Sequence, residues 1–358
     1  MSGFTAAGTL LTDAVARRAF PAAVVEAGDG EGVHWREVFG RLTFDAGAPP
    51  ARETTIFDLA SLTKVLATTT ILMGLVERGA IDLDEPVARR LATWRGADRD
   101  AVTLADLLAH CAGLPAWRPL YRDCAGRDAF ARAIAATPLE YRPRRRSIYS
   151  DLGFMLAGFV AEAAAATPLD AQFHALSPDG DGSRPGYELS FTPPAAWRDR
   201  IAPTEIDPWR GRLLVGEVHD ENAAALGGVA GHAGLFGTAA AVGVFARRLL
   251  RALRGAASEG PFAEPDLLAR FVAKTDVPGS SRALGWDTML PTSSCGHRMS
   301  ARAIGHTGFT GTSLWIDPEL DLYVVLLTNR VHPTRTNDAI QVVRPAVHDA
   351  IIEGWKRR

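Results

Sequence analysis

Lysine is almost missing from this chain. Of its 39 Lys and Arg residues only Lys64, Lys274 and Lys356 are lysine, so a lysine here asks for a reason. Net charge is nearly absent as well, at −2 over 358 residues, and gives no electrostatic ground to expect a nucleic-acid partner. The local run Arg144-Arg145-Arg146 reads as solvated surface. Cysteine is scarce: Cys111, Cys124 and Cys295 have neither the number nor the spacing of a disulfide framework or a metal site. Free thiols suit a reducing compartment. Long apolar runs are lacking too. The stretches around 154–166 and 223–244 are Ala- and Gly-rich and interrupted, too mixed to span a bilayer. Met1-Ser2-Gly3-Phe4 shows no basic segment leading into an apolar core, so the expectation is a cytoplasmic chain without a secretory signal and without a membrane partner. What is present is ordinary globular composition, 47% hydrophobic and 22% charged, on a chain long enough for two lobes.

Lys64 lies in Ala60-Ser61-Leu62-Thr63-Lys64, three residues after a serine. Arginine keeps its proton at any accessible pH, whereas a lysine amine is made neutral by burial and neighbouring charge. A neutral amine beside a hydroxyl takes its proton and makes it a nucleophile. On a helix, positions i and i+3 share a face, so Ser61 and Lys64 would meet there. The motif is short, and coincidence is the competing reading until the rest of the chain is weighed.

Periodicity places the motif among other elements. A helix is expected over 4–19, stopped by Pro21, then a hairpin of strands Ala22–Ala27 and Val33–Phe39 around a Gly-rich turn. From Ser61 the period is helical through Val76, with Gly79 as its stop. Thr103 is a plausible N-cap for a helix over Leu104–His110, and another helix runs from Asp151 to Ala165. Residues 167–222 read as loops, with 176–185 the most linker-like stretch. A helix over Ala239–Leu253 precedes strands Ala283–Met289, Arg302–Thr307, Ser313–Ile316 and Leu322–Thr328, and an amphipathic helix closes the chain. Strands at both ends with helices between them predict an α+β architecture. Residues 1–60 and 225–358 would form one sheet lobe, 61–224 a mainly helical lobe inserted into it, with a cleft between.

Two further motifs follow the serine: Tyr149-Ser150-Asp151 just before a helix, and His306-Thr307-Gly308 between strands. The order S-x-x-K, Y-x-N, K-T-G is that of class C β-lactamases and related penicillin-recognising hydrolases, and this chain resembles them. Leu107-Leu108-Ala109-His110-Cys111-Ala112-Gly113-Leu114, Gly234-Leu235-Phe236-Gly237-Thr238, Leu284-Gly285-Trp286 and Leu326-Leu327-Thr328-Asn329 are similar to further family stretches, in order. The resemblance implies a β-lactamase/transpeptidase-like fold, an antiparallel sheet flanked by helices with an inserted mainly helical lobe. It implies a serine hydrolase forming an acyl-enzyme on Ser61, with Lys64 and Tyr149 jointly handling the proton. The oxyanion hole would be the N–H groups of Ser61 and Phe309. Esterase-like action on a small ester or amide is the first expectation. A D-amino-acid peptidase, a penicillin-binding protein or a weak β-lactamase is the alternative, and a non-catalytic ligand-binding protein on the same fold is the rival from another class. No cofactor and no metal are expected.

The chain departs from the family pattern at two points. Asp151 stands where many relatives have asparagine; it would either pair with Lys64, raising that amine's pKa, or cap the following helix. His306 replaces the lysine of K-T-G, and with Thr307, Gly308 and Phe309 it borders the substrate region. A largely neutral imidazole is a weaker anion anchor than an ammonium, which argues against efficient β-lactam hydrolysis. Val218-His219-Asp220-Glu221-Asn222 reads as a loop bordering the cleft rather than a metal site, and His232 as structural. Ala202-Pro203-Thr204-Glu205, with Asp207 and Arg210, would form a cleft wall, as would Trp117 and Tyr121. Gly227-Gly228-Val229-Ala230-Gly231 lacks the context of a dinucleotide site.

Overall fold

The protein is described by a computed structural model covering residues 3–176, 186–256, 262 and 264–358. The linker-like stretch 176–185 lies, beyond its first residue, outside the described residues. Strands β1 (Ala22–Gly28) and β2 (Val33–Gly40) follow helix α1 (Thr5–Ala16), and strand β3 is Phe57–Asp58. The segment after Ser61 opens as a π-helix, Lys64–Thr69, and continues as α2, Thr70–Glu77. Helices α3 (Leu104–Leu108), α4 (Arg127–Ala136), α5 (Asp151–Ala165) and α6 (Leu169–Ala175) come next. Short strands β4 (Leu189–Phe191), β5 (Ile206–Asp207) and β6 (Arg212–Leu213), helix α7 (Glu221–Ala225) and strand β7 (Leu235–Gly237) occupy the middle of the chain. Helices α8 (Ala239–Leu253) and α9 (Pro265–Val272) lead to strands β8 (Asp287–Thr288), β9 (Ile304–Thr307), β10 (Ser313–Asp317) and β11 (Leu322–Thr328), and α10 (Ile340–Lys356) ends the chain.

The main sheet has the order β2-β1-β11-β10-β9-β8, antiparallel throughout. Successive strand side chains point to opposite faces, and the cores divide accordingly. Ala23, Val25, Val324 and Leu326 join α1 and α10, whereas Val24, Val325 and Leu327 join the larger core with α8 and the helices around α2 and α5. Thus β1 and β11 are covered on both faces, which is why their sequences are almost continuously apolar. A second sheet, β3-β7-β4, carries the chain into Ser61 and escapes sequence reading because its strands are only two or three residues long.

Several expectations meet their elements closely. Thr103 closes a capping box with Asp106, β11 has the expected bounds, and α8 is capped by the Thr238 hydroxyl. Others need correction. The strand expected over 283–289 shrinks to two residues because Gly285 turns there with φ +86°, its N–H donating to Leu108 O instead of a strand neighbour. The region 167–222, read as loops, holds α6, β4 and the β5–β6 hairpin. Among the described residues no single helix is long and apolar enough to cross a membrane.

Candidate active site

Ser61 sits where β3 hands over to the helix, after Ala60, whose φ of +46° makes the turn. The helical start brings Lys64 back beneath it, as the i, i+3 spacing predicts: Lys64 Nζ is 2.9 Å from Ser61 Oγ. Tyr149 arrives from the other side, its hydroxyl donating to Ser61 Oγ at 2.8 Å. Lys64 is fully buried. Its ammonium also donates to Asp151 Oδ1 at 2.7 Å and to His232 O at 3.0 Å.

Asp151 therefore takes the pairing role and not the capping one. The N-cap of α5 is Ser150, whose Oγ accepts from Gly153 N, leaving Asp151 in the first turn with its carboxylate turned to Lys64. Burial pulls the Lys64 pKa down, but the Asp151 carboxylate and Tyr149 outweigh it, and the net direction is upward. Burial pushes the Tyr149 phenol up against the opposing pull of Lys64. At neutral pH the resting site thus holds a charged amine and a neutral phenol around one hydroxyl.

His306, on β9 opposite Leu314, is buried, and burial together with Arg282 and Lys64 drives its pKa well below the usual histidine value. It is neutral, with Nδ1 bonded to Thr307 O at 2.8 Å. The weak anchor expected at this position is therefore present. The cleft itself is rich in fixed cations: Arg282, Arg330, Arg335 and Arg344 all line it. The Arg282 guanidinium lies 5.2 Å from the Tyr149 ring centre, and Arg344, buried without a carboxylate partner among the described residues, has its pKa lowered to about 10 by burial.

The cleft, about 600 Å³, exposes Ser61, Tyr149, Asp151 and the 306–309 segment on its floor and Trp117 on its wall. Neither Ser61 N nor Phe309 N has an acceptor among the described residues, so both are free for a substrate oxygen. The Phe309 ring is half exposed, held between the Arg330 guanidinium (4.4 Å) and the His219 imidazole (5.7 Å). His219, Asp220 and Glu221 border the cleft as expected. No group of three His, Cys, Asp or Glu among the described residues is placed to hold a metal ion. His232 is structural: buried, it bonds Asp220 at 2.8 Å. Glu205 stands behind the wall, gripping His219 and Arg335. Tyr121 packs between Trp117 and the exposed Trp209.

A family model described as Beta-lactamase matches residues 8–347. The chain belongs to the beta-lactamase family. Among curated relatives of this family member, a protein of Salmonella gallinarum named "Putative D-alanyl-D-alanine carboxypeptidase" is 33% identical over 347 residues, covering 86% of this chain and 78% of its own. A Salmonella agona protein of the same name is 32% identical over 342 residues, covering 85% and 77%. Simvastatin synthase from Aspergillus terreus superposes over 100% of both chains with a TM-score of 0.75 at 20% identity. A penicillin-binding protein homologue from Caulobacter crescentus does so over 97% of each, at 0.74 and 20%. EstCE1, described as a hydrolase with promiscuous acyltransferase activity, covers 96% and 98%, at 0.73 and 22%. At these identities the structural likeness is one of fold.

Sequence reading missed His110 and the four cleft arginines of this beta-lactamase-family site. His110 accepts from Ser150 N at 3.0 Å and packs its ring 4.7 Å from Tyr149, so it holds the tyrosine turn. Its signal lies in the Leu107–Leu114 stretch, which resembles the family without marking a role for the histidine. Arg282 lies two residues before Leu284-Gly285-Trp286, and nothing in its sequence surroundings marks it.

Proposed function

We propose that this serine hydrolase cleaves an ester or amide through an acyl-enzyme on Ser61, with short esters as its readiest substrates. The observation that carries this reading is the convergence of Lys64 Nζ and Tyr149 Oη on Ser61 Oγ, at 2.9 and 2.8 Å. Ser61 Oγ attacks the carbonyl carbon while its proton passes to the Lys64–Tyr149 pair, which must first have given up one proton to solvent. The N–H groups of Ser61 and Phe309 hold the oxyanion. Collapse expels the leaving group, which takes a proton from Tyr149, and water then releases the acyl group by the same steps in reverse order.

A specific observation favours a second reading, a D-peptide carboxypeptidase. Arginines 282 and 344 line the cleft and suit a substrate carboxylate, and the Salmonella relatives carry a carboxypeptidase name. Mass spectrometry after fluorophosphonate labelling should place one adduct on the Ser61 peptide and none in Ser61→Ala. Relative kcat/KM for p-nitrophenyl butyrate, a D-alanyl-D-alanine-terminated peptide and nitrocefin then decides between the readings. An ester preference supports the first, and a peptide preference replaces it with the second. An adduct on another residue would remove Ser61 from the mechanism.

A further inference from the structure

Asp58 is a buried carboxylate with no cationic partner among the described residues. It is 2% exposed, and its two oxygens accept backbone N–H groups alone: Ala60 N to Oδ1 at 2.8 Å and His219 N to Oδ2 at 2.7 Å. Burial raises its pKa, and the two N–H bonds oppose that rise. Leaving a carboxyl in such a place is expensive unless its oxygens do something a neutral side chain would not. Ala60 is the residue with φ +46° that turns the chain into Ser61, so Oδ1 pins the turn whose next N–H is the first oxyanion donor.

The second donor is tied to the same residues. Thr310 Oγ donates to Asp58 O at 2.7 Å, and Thr312 Oγ donates to Leu59 O at 3.0 Å. Thr310 and Thr312 follow Phe309 in the β9–β10 turn, and that turn is pressed against residues 58–60. A Cβ added at Gly308 would come within 2.6 Å of Leu59 O. On the third side, Oδ2 holds His219, whose ring stacks on Phe309. Asp58 thus sits at the junction of the serine turn, the Phe309 turn and the cleft rim, although it does not line the cleft itself.

We propose that Asp58 is a positioning residue for the oxyanion hole, its carboxylate fixing the Ser61 N–H relative to the Phe309 N–H. The inference rests on the acyl-enzyme reading. Only a carboxylate meets the geometry, because both partners are donors. The amide of Asn has one acceptor oxygen and would set its NH2 against an N–H. A misplaced oxyanion donor weakens the transition state more than the bound substrate.

Steady-state hydrolysis of p-nitrophenyl acetate by the parent and by Asp58→Asn tests this, with thermal melting of both as the control for fold. We expect kcat to fall about 100-fold, the scale of losing one oxyanion donor, with KM within about threefold and Tm little changed. The Ki of phenylboronic acid, which becomes tetrahedral on an activated serine, should rise alongside the fall in kcat/KM. A kcat within threefold of the parent overturns the inference, as does a loss of kcat that merely follows a lowered Tm. If Asp58→Asn does not fold, Thr310→Val decides: a roughly tenfold fall in kcat at unchanged KM supports the inference, and an unchanged kcat overturns it. Failure of the two readings is distinguishable. No Ser61 adduct and no turnover in the parent removes both, whereas parent turnover matched by Asp58→Asn removes only the role of Asp58.

Discussion

In the proposed mechanism the charge of one side chain, Asp151, sets how the Ser61 hydroxyl is activated. Asp151, 2.7 Å from Lys64, keeps the amine protonated beyond its ordinary range, so the form with one proton fewer that the proposed mechanism requires appears only as pH rises. Replacing Asp151 by Asn removes the negative charge that raises Lys64. Its pKa then falls, and the rising limb of kcat/KM against pH should move to lower pH by about 1 unit or more, the usual scale of an adjacent opposite charge. A pH–rate profile in which Asp151→Asn rises at the same pH as the parent would mean that Lys64 does not control the limb. The pairing was one of two readings open in the sequence, and sequence could not choose, since Ser150 and Asp151 are both residue types that cap helices. The choice came from Ser150 taking the cap. Arg282 was illegible for a different reason: it is one arginine among many, and only the folded chain brings it to the cleft.

At the scale of elements, α8 packs on β1 and β11 through a gap the size of a side chain. Glu26, fully buried on β1, receives Arg36 Nε at 2.7 Å, Arg247 Nη1 at 3.2 Å and the Tyr323 hydroxyl at 2.7 Å. Gly243 on α8 lies directly over it, and a Cβ there would stand 1.8 Å from Glu26 Oε1. Alanine is the better helix former by about 1 kcal/mol, yet Gly243→Ala should destabilise the protein by about 2–4 kcal/mol, because it displaces a buried charge from its partners. Urea unfolding measures this, and an alanine variant as stable as the parent would show that β1 and α8 separate at little cost. The nearly continuous apolar runs of β1 and β11 were plain in the sequence. The charged cluster inside that packing was not, since its members lie on β1, β2, α8 and β11 and meet only once the sheet is assembled.

Across the whole molecule, Arg335 ties three distant stretches together. Its guanidinium meets Glu205 at 2.6 Å and Glu221 at 2.8 Å, and His219 meets Glu205 at 2.9 Å. Burial works against the Glu205 carboxylate, but the bonds from His219 and Arg335 pull its pKa down to about 2. A carboxyl lowered on folding adds stability that is complete above its unfolded value near 4.5 and disappears as pH falls through about 2. Glu205→Gln should therefore cost about 2–3 kcal/mol at pH 7, as for charge-assisted bonds. The Tm difference from the parent should shrink between pH 4.5 and 2. A gap constant down to pH 2 would show that Glu205 contributes through shape alone.

The sequence by itself determined the family, the order of the strands and helices that carry the motifs, and the meeting of Ser61 with Lys64. Those features follow from local spacing: three residues along a helix bring two side chains to one face, and alternation along a strand sets its two faces. Tertiary structure decided what spacing cannot express. It set Tyr149 against a serine 88 positions away, turned Asp151 toward Lys64, and brought four arginines to the cleft that the neutral His306 also lines. It also brought the Phe309 turn against residues 58–60. Each of these depends on distance through space between segments remote in the chain, and so on the packing of the sheet against its helices.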